Sequence, residues 1–255
     1  MPALARVSIC AAGLVVLAAT PAGAQSTPDL LGNRWQVGGL VYVSPSFEGS
    51  KSYDAIAFPF IAPGDVGNEG FVQIKGADDV RLRLFHDGGF EFGPLAGYRF
   101  GRDGDDVTNV AVGDVDGGLV LGGFATYRTG PLAFSVSYHH QVTGDDTGGL
   151  VRFSVEHTSR LSPAVNLTAS VGTDYASEEY MTAFFAVPGV FAPDAGFKDV
   201  FVGATATVDL SDRWSLHLLG RYSRLIGDAA DSPIVETANQ LYGGLALSYK
   251  FNWNR

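Results

Sequence analysis

The sequence is short of cysteine, of charge and of long apolar runs, and each shortage excludes something. Its 255 residues hold one cysteine, Cys10, so a disulfide framework, a cysteine-rich zinc site and a thiol nucleophile in the body of the chain are all excluded. Charged residues make up 17%, below the roughly 25% usual for soluble domains. Positive charge is scarcest: 17 Lys and Arg stand against 27 Asp and Glu, a formal net charge of −10. A chain that tracks a phosphate backbone needs the opposite balance, so nucleic acid is not an expected partner. Beyond residue 24 no apolar run reaches the roughly 18 residues that a membrane-crossing helix requires.

What is present begins with a leader. Arg6 supplies a positive start, Val7 to Ala19 form a mainly apolar core, and Ala22-Gly23-Ala24 before Gln25 has the small-x-small pattern of a secretory cleavage site. The core is too short to span a bilayer as a helix. Residues 1–24 are therefore read as a signal peptide, which takes Cys10 with it, and residues 25–255 as a single exported domain held by its own hydrogen bonds.

That domain is dominated by alternation. Leu132, Phe134, Val136 and Tyr138 oppose Ala133, Ser135, Ser137 and His139; Val151, Phe153 and Val155 oppose Arg152, Ser154 and Glu156. The pattern recurs with Val165, Leu167, Ala169 and Val171 against Asn166, Thr168, Ser170 and Gly172, and again with Leu245, Leu247, Tyr249 and Phe251 against Gly244, Ala246, Ser248 and Lys250. Period two makes strands but does not say which face meets water, since a soluble sandwich also alternates. Length and connections do. The spacing predicts strands at 34–43, 54–62, 70–76, 78–86, 89–101, 117–128, 131–140, 149–160, 163–174, 197–209, 213–223 and 240–251. Several match the 9–11 residues of a tilted transmembrane strand rather than the 5 or 6 of a globular one. Short turns at 128–131, 159–163 and 209–212 alternate with long acidic loops at 102–116, 141–148, 175–196 and 224–239. The fold class is thus an antiparallel transmembrane β-barrel of about 12 strands, with short periplasmic turns and long extracellular loops; segment 63–79 fits least well, and ten strands is the alternative count.

Two loops carry signals of their own. Ser177 has the place of a cap for a short helix with Glu178 and Glu179 in its first turn, then Tyr180, Phe184 and Phe185, stopped by Pro188-Gly189 and placed to fold over the barrel mouth. The loop at 102–116 gathers Asp103, Asp105, Asp106, Asp114 and Asp116, but its spacing fits no EF-type calcium loop, and it is read as a solvated acidic loop.

On several segments the chain resembles the outer-membrane proteins that interact with the lytic transglycosylase MltA, the MipA/OmpV family. The residues that carry the resemblance are Gly49-Ser50 with Tyr53 and Phe58-Pro59, Asp78 to Arg83, Gly93 to Arg102, and Gly196 to Val200. The most specific stretch runs from Tyr222 through Ser223-Arg224-Leu225-Ile226-Gly227-Asp228 to Val235. One departure is that Asn252 to Arg255 follow Phe251, where such barrels tend to stop at an aromatic. The resemblance implies a barrel in the outer membrane of a Gram-negative envelope, in contact with outer-membrane lipid. It also implies a non-enzymatic scaffold for a lytic transglycosylase and a peptidoglycan synthase on the periplasmic side; for other members it implies solute or antibiotic permeability, or adhesion.

His157 and Ser159 share a strand face, as in the His-x-Ser pair of lipid A deacylases, but Glu156 falls on the opposite face and cannot orient the ring. His139 and His140 likewise face opposite ways and cannot chelate one ion with Asp145 and Asp146; they are read as interface histidines. No catalytic residue, metal site or cofactor is expected. Alternation instead turns Arg81, Arg83, Glu91, Arg99, Arg152, Glu156, Arg221 and Lys250 into the lumen, where charges must be paired or hydrated. The set reads as a network that plugs a narrow barrel or as an anion-attracting constriction, and strand count alone does not choose between them.

Overall fold

A computed structural model describes residues 34–252 except 65, 68 and 146; the leader 1–24 lies outside the described residues. The strands are β1 (Arg34–Pro45), β2 (Tyr53–Pro63), β3 (Val72–Gly76), β4 (Asp79–Leu82), β5 (Phe85–Asp87), β6 (Phe90–Arg99), β7 (Gly118–Thr129), β8 (Leu132–Gln141), β9 (Gly149–Ser162), β10 (Val165–Ala176), β11 (Gly196–Asp209), β12 (Trp214–Leu225) and β13 (Asn239–Asn252). β4 and β5 are two pieces of one stave, broken at Arg83-Leu84, since both pair with β6. Counted so, twelve staves form one antiparallel sheet in which β13 returns to pair with β1. The expected boundaries hold to within about three residues, with 78–86 interrupted and 70–76 shortened.

β1 begins and β13 ends at one rim. At that rim the connections are tight: Gly88-Gly89, both at positive φ, join β5 to β6, and Gly130 at φ +56° with Pro131 joins β7 to β8. Positive φ at the first central residue suits the twist of a two-residue hairpin. The opposite rim carries the long loops. One holds helix α1 (Glu178–Phe185), another the short helix α2 (Gly227–Asp231).

Burial is inside out. The side chains sealed from solvent on the strands are Gln36, Arg81, Glu91, Ser135, Ser137, His139, Arg152, Asp174 and Ser248, whereas Val41, Leu121, Phe134, Val136, Tyr138, Phe153, Val202 and Leu245 are exposed. A soluble protein would not turn a belt of valine, leucine and phenylalanine outward; a bilayer makes that belt favourable. Aromatics flank it at both levels. Phe85 stacks on Phe92 at 4.3 Å, and the tilted ring pairs Phe90–Tyr127 at 4.7 Å and Trp214–Tyr249 at 5.0 Å lie near the short-turn rim. Tyr98, Tyr138, Tyr222 and the Tyr175–Phe197 pair stand near the long-loop rim. From Phe90 to Tyr98 the chain rises about 27 Å along the strand, or roughly 20 Å vertically at a 40° tilt, close to the ~25 Å band of such barrels. The protein is a transmembrane β-barrel.

The long-loop mouth is capped by the loops themselves. Ser177 caps α1, its hydroxyl accepting from the Tyr180 amide, as the sequence suggested, and Tyr180, Met181, Phe184 and Phe185 are buried. They pack with Val115, Leu150, Ala176, Leu225 and Ala229, while Phe47, Val107, Val187 and Ile234 form a second apolar cluster. Gly49, at φ +98°, accepts from the amides of Glu236 and Thr237; a side chain there would collide with Val235. Positive φ and the close approach together explain a glycine at this position. The acidic loop is ordered by its own carboxylates: Asp103 caps a 3-10 turn at 104–106, Asp114 accepts from the Gly104 amide, and Arg102 reaches down to the Phe184 carbonyl at 2.7 Å.

Candidate functional site in the barrel lumen

The inward faces of the strands carry the charges, and these sort into levels along the axis. Near the short-turn rim, Glu91 on β6 accepts from Arg83 at 3.4 Å, Arg128 at 3.2 Å and Gln73 at 3.3 Å. Lys250 on β13 bridges Asp209 on β11 at 2.9 Å. At mid-height Arg81 forms a two-pronged bond to Asp79 at 2.7 and 2.9 Å and also donates to Ser135 and Ser137 across the lumen. Lys75 donates to both oxygens of Glu156 at 2.8 Å.

The upper level is the densest. Arg152 on β9 grips Asp174 on β10 through Nε at 2.9 Å and Nη2 at 3.1 Å, while its Nη1 reaches Asp79 and Asp78. Arg221 donates to the same Asp174 at 3.0 Å and lies 3.7 Å over the Phe201 ring. Lys198 bridges Asp199 at 2.7 Å and Glu48 at 2.9 Å, and Glu48 accepts from the Tyr180 hydroxyl that α1 lowers into the mouth. Burial, with Glu48 alongside, pushes that hydroxyl well above its usual range, so it remains a donor. Arg99 bonds Thr147 and lies 4.6 Å over the Tyr180 ring; no carboxylate bridge to it is found among the described residues. Arg99, Arg221 and Glu48 each keep a buried polar atom without a protein partner, and all three line one cavity of about 110 Å³. Such a volume suits several waters and falls below the roughly 300 Å³ at which sites for drug-sized ligands begin.

Arg81, Glu91, Arg99, Arg152, Glu156, Arg221 and Lys250 point to the lumen from strands, and Arg83 bonds Glu91 from the break between β4 and β5, while Arg81, Arg152 and Arg221 are held by acids other than Glu156 and Glu91. The acids that hold Arg81, Arg152 and Arg221 are Asp79, Asp174 and Asp199. Asp174 continues the Thr168, Ser170, Gly172 face by one step and was within reach of the pattern. Lys198 and Asp199 were not, because adjacent strand residues normally diverge. The ladder between β10 and β11 shifts at Asp174/Tyr175, skipping Lys198, and both side chains turn inward.

His139 departs from the place its sequence context suggests. It is fully buried in the lumen, its Nε2 against Ser137 Oγ at 2.9 Å and its Nδ1 against the Asp78 carbonyl at 3.0 Å. It is not an interface histidine. His140 does lie outside, stacked on Tyr138. His157 and Ser159 meet at 3.2 Å on the outer side of β9, while Glu156 is across the wall with Lys75. Asp145 accepts from the Asp116 amide; Asp146 lies outside the described residues. Among the described residues no three His, Cys, Asp or Glu side chains are grouped to hold a metal.

A family model described as MltA-interacting protein MipA matches residues 37–251. The chain is 28% identical over 145 residues to the outer membrane protein Omp26La of Vibrio anguillarum and, to the same extent, to the outer membrane protein OmpV of Vibrio cholerae. Each alignment covers 51% of this chain, and the chain spans about half the length, 53%, of these relatives. Among solved structures, the translocator domain of the autotransporter NalP from Neisseria meningitidis is similar at 12% identity and a TM-score of 0.41, over 86% of this chain and 88% of that one.

Proposed function

The chain belongs to the MltA-interacting protein MipA family, and from that membership we propose that this outer-membrane barrel is a non-enzymatic scaffold that holds peptidoglycan-processing enzymes, a lytic transglycosylase and a synthase, against the membrane. The observation that carries the reading is the state of the lumen. Most inward charges are met by partners, the hairpin β3–β4 lies inside the wall with Lys75 reaching Glu156, and α1 covers the mouth, so the resting barrel offers rims rather than a path.

The working surface of such a scaffold is the periplasmic rim. Its turns at 88–89, 130–131, 163–164 and 210–213 are small, and a stable contact buries about 800 Å² per partner. Segment 64–71, the longest connection at that rim, together with neighbouring turns supplies the area. A partner already confined to the membrane needs less, because confinement raises its effective concentration. The test is binding of a purified MltA-type transglycosylase to the barrel in nanodiscs. Binding that falls at least tenfold when segments 64–71 and 210–213 are replaced by Gly-Ser linkers supports the scaffold, and absence of binding to the intact barrel refutes it.

A further inference from the structure

The sheet is not sealed. β2 is laddered to β1 along all eleven of its residues, yet its other edge pairs with no strand among the described residues; β3 is laddered to β4, and beyond that ladder its only β-bridge among the described residues joins Val72 to Val66 in the preceding loop. These two strands are consecutive in the chain, and they are the two ends of the sheet. An unpaired strand edge inside a bilayer is expensive. Pro59, which removes a backbone donor, is tolerated in β2 because of that edge position.

The hairpin β3–β4 has slipped behind β2 instead of lying beside it. Its apolar face, Val72 and Ile74 with their cross-strand partners Leu82 and Val80, packs with Phe60 and Ala62. Phe60 and Ala62 belong to the inner face of β2, since they pair with Gly38 and the buried Gln36. The hairpin's polar face looks across the lumen: Lys75 reaches Glu156 on β9, nearly opposite in the strand order, and Arg81 reaches β8. Its backbone ladder to the wall is short, two residue pairs between β4 and β6 where ten join β6 to β7, with the Tyr98 amide donating to the Ala77 carbonyl; side chains of Arg152 and His139 hold its tip at Asp78 and Asp79.

We propose that β3–β4 is a gate. It moves radially outward from behind β2 and pairs with it as the closing stave of the wall, breaking the Lys75–Glu156 bridge together with the contacts of Arg81 to Ser135 and Ser137 and of Arg152 to Asp78 and Asp79, and opening the lumen. No rotation is needed, because the face now resting on Phe60 and Ala62 is apolar and would meet lipid, while Gln73, Lys75, Asp79 and Arg81 would stay inside. The proposal goes beyond the scaffold reading and stands independently of it.

The two positions are distinguished by a cross-link. Ile61 lies on the outer face of β2, opposite the exposed Val37, whereas Ile74 now packs at the inner face. The wall of β2 separates them at rest, and a β2–β3 ladder sets them side by side. In a Cys10→Ser background, Ile61→Cys/Ile74→Cys is oxidised in proteoliposomes and recorded in planar bilayers, with folding checked by heat-modifiable gel mobility. Val41→Cys/Ala57→Cys, directly opposed across β1 and β2, is the control pair. The expected result is a cross-link in most of the folded barrel and conductance at least tenfold above the reduced form, with Lys75→Ala speeding cross-linking several-fold. Failure to link while the control pair links, linkage without added conductance, or a rate untouched by Lys75→Ala would each overturn the gate.

Discussion

Asp174, buried in the lumen, holds two guanidinium groups, Arg152 and Arg221, at 2.9 to 3.1 Å. Removing one partner of a buried ion pair leaves an uncompensated charge and costs about 3–5 kcal/mol, whereas exchanging the set for apolar groups of similar volume is often neutral. Asp174→Asn is therefore expected to lower the urea stability of the detergent-solubilised barrel by about that amount, and Arg152→Met added to it is expected to recover part of the loss. Glu91→Gln gives a contrasting result. Glu91 has three donors, but Arg83 is partly exposed at the rim, so water takes over part of its role and the expected loss is smaller, about 1–3 kcal/mol. Equal losses at the two sites would show that burial depth is not what sets the cost. At this scale the sequence disclosed which arginines face inward and concealed what meets them. Asp174 keeps to the alternation, but the other acids sit where the local pattern is uninformative, at the bulged Lys198-Asp199 pair and at Asp78-Asp79 on the tip of a hairpin that turns into the lumen.

At the scale of elements, α1 is the piece whose position most depends on its sequence. Ser177 accepts from the Tyr180 amide, and Tyr180, Met181, Phe184 and Phe185 are buried beneath the loops. Ser177→Ala removes the cap and is expected to cost about 1 kcal/mol; Phe185→Ala opens a cavity in the cap and is expected to cost about 3–5 kcal/mol. Both losses fall on the lid rather than on the strands. Protease added to intact cells should then cut within 177–195 faster in Phe185→Ala than in the parent, while heat-modifiable mobility of the barrel is unchanged. Uniform loss of the folded band would mean that lid and wall fold as one unit. This helix was legible in the sequence because its cap, its acidic first turn and its Pro-Gly stop are all local. The hairpin β3–β4 was not, since its alternation is the same whether it stands in the wall or behind it; the lack of a second strand partner for β2 among the described residues distinguishes the two.

The whole molecule is organised by one inversion, polar side chains inward and apolar side chains outward, with aromatic girdles at both rims. Alternation, strand length and the division into short and long connections were enough to anticipate it, because each follows from covalent period and bilayer thickness rather than from distant contacts. The direct test is an accessibility scan. Nitroxide labels placed singly at positions 133 to 138 of β8, in a Cys10→Ser background and reconstituted in bilayers, are challenged with oxygen, which concentrates in hydrocarbon, and with a water-soluble nickel chelate. The expected result has a period of two: Phe134, Val136 and Tyr138 positions are relaxed strongly by oxygen and weakly by nickel, and Ala133, Ser135 and Ser137 positions are shielded from oxygen. Nickel access at 134, 136 and 138, or a profile without a two-residue period, would contradict the inside-out barrel.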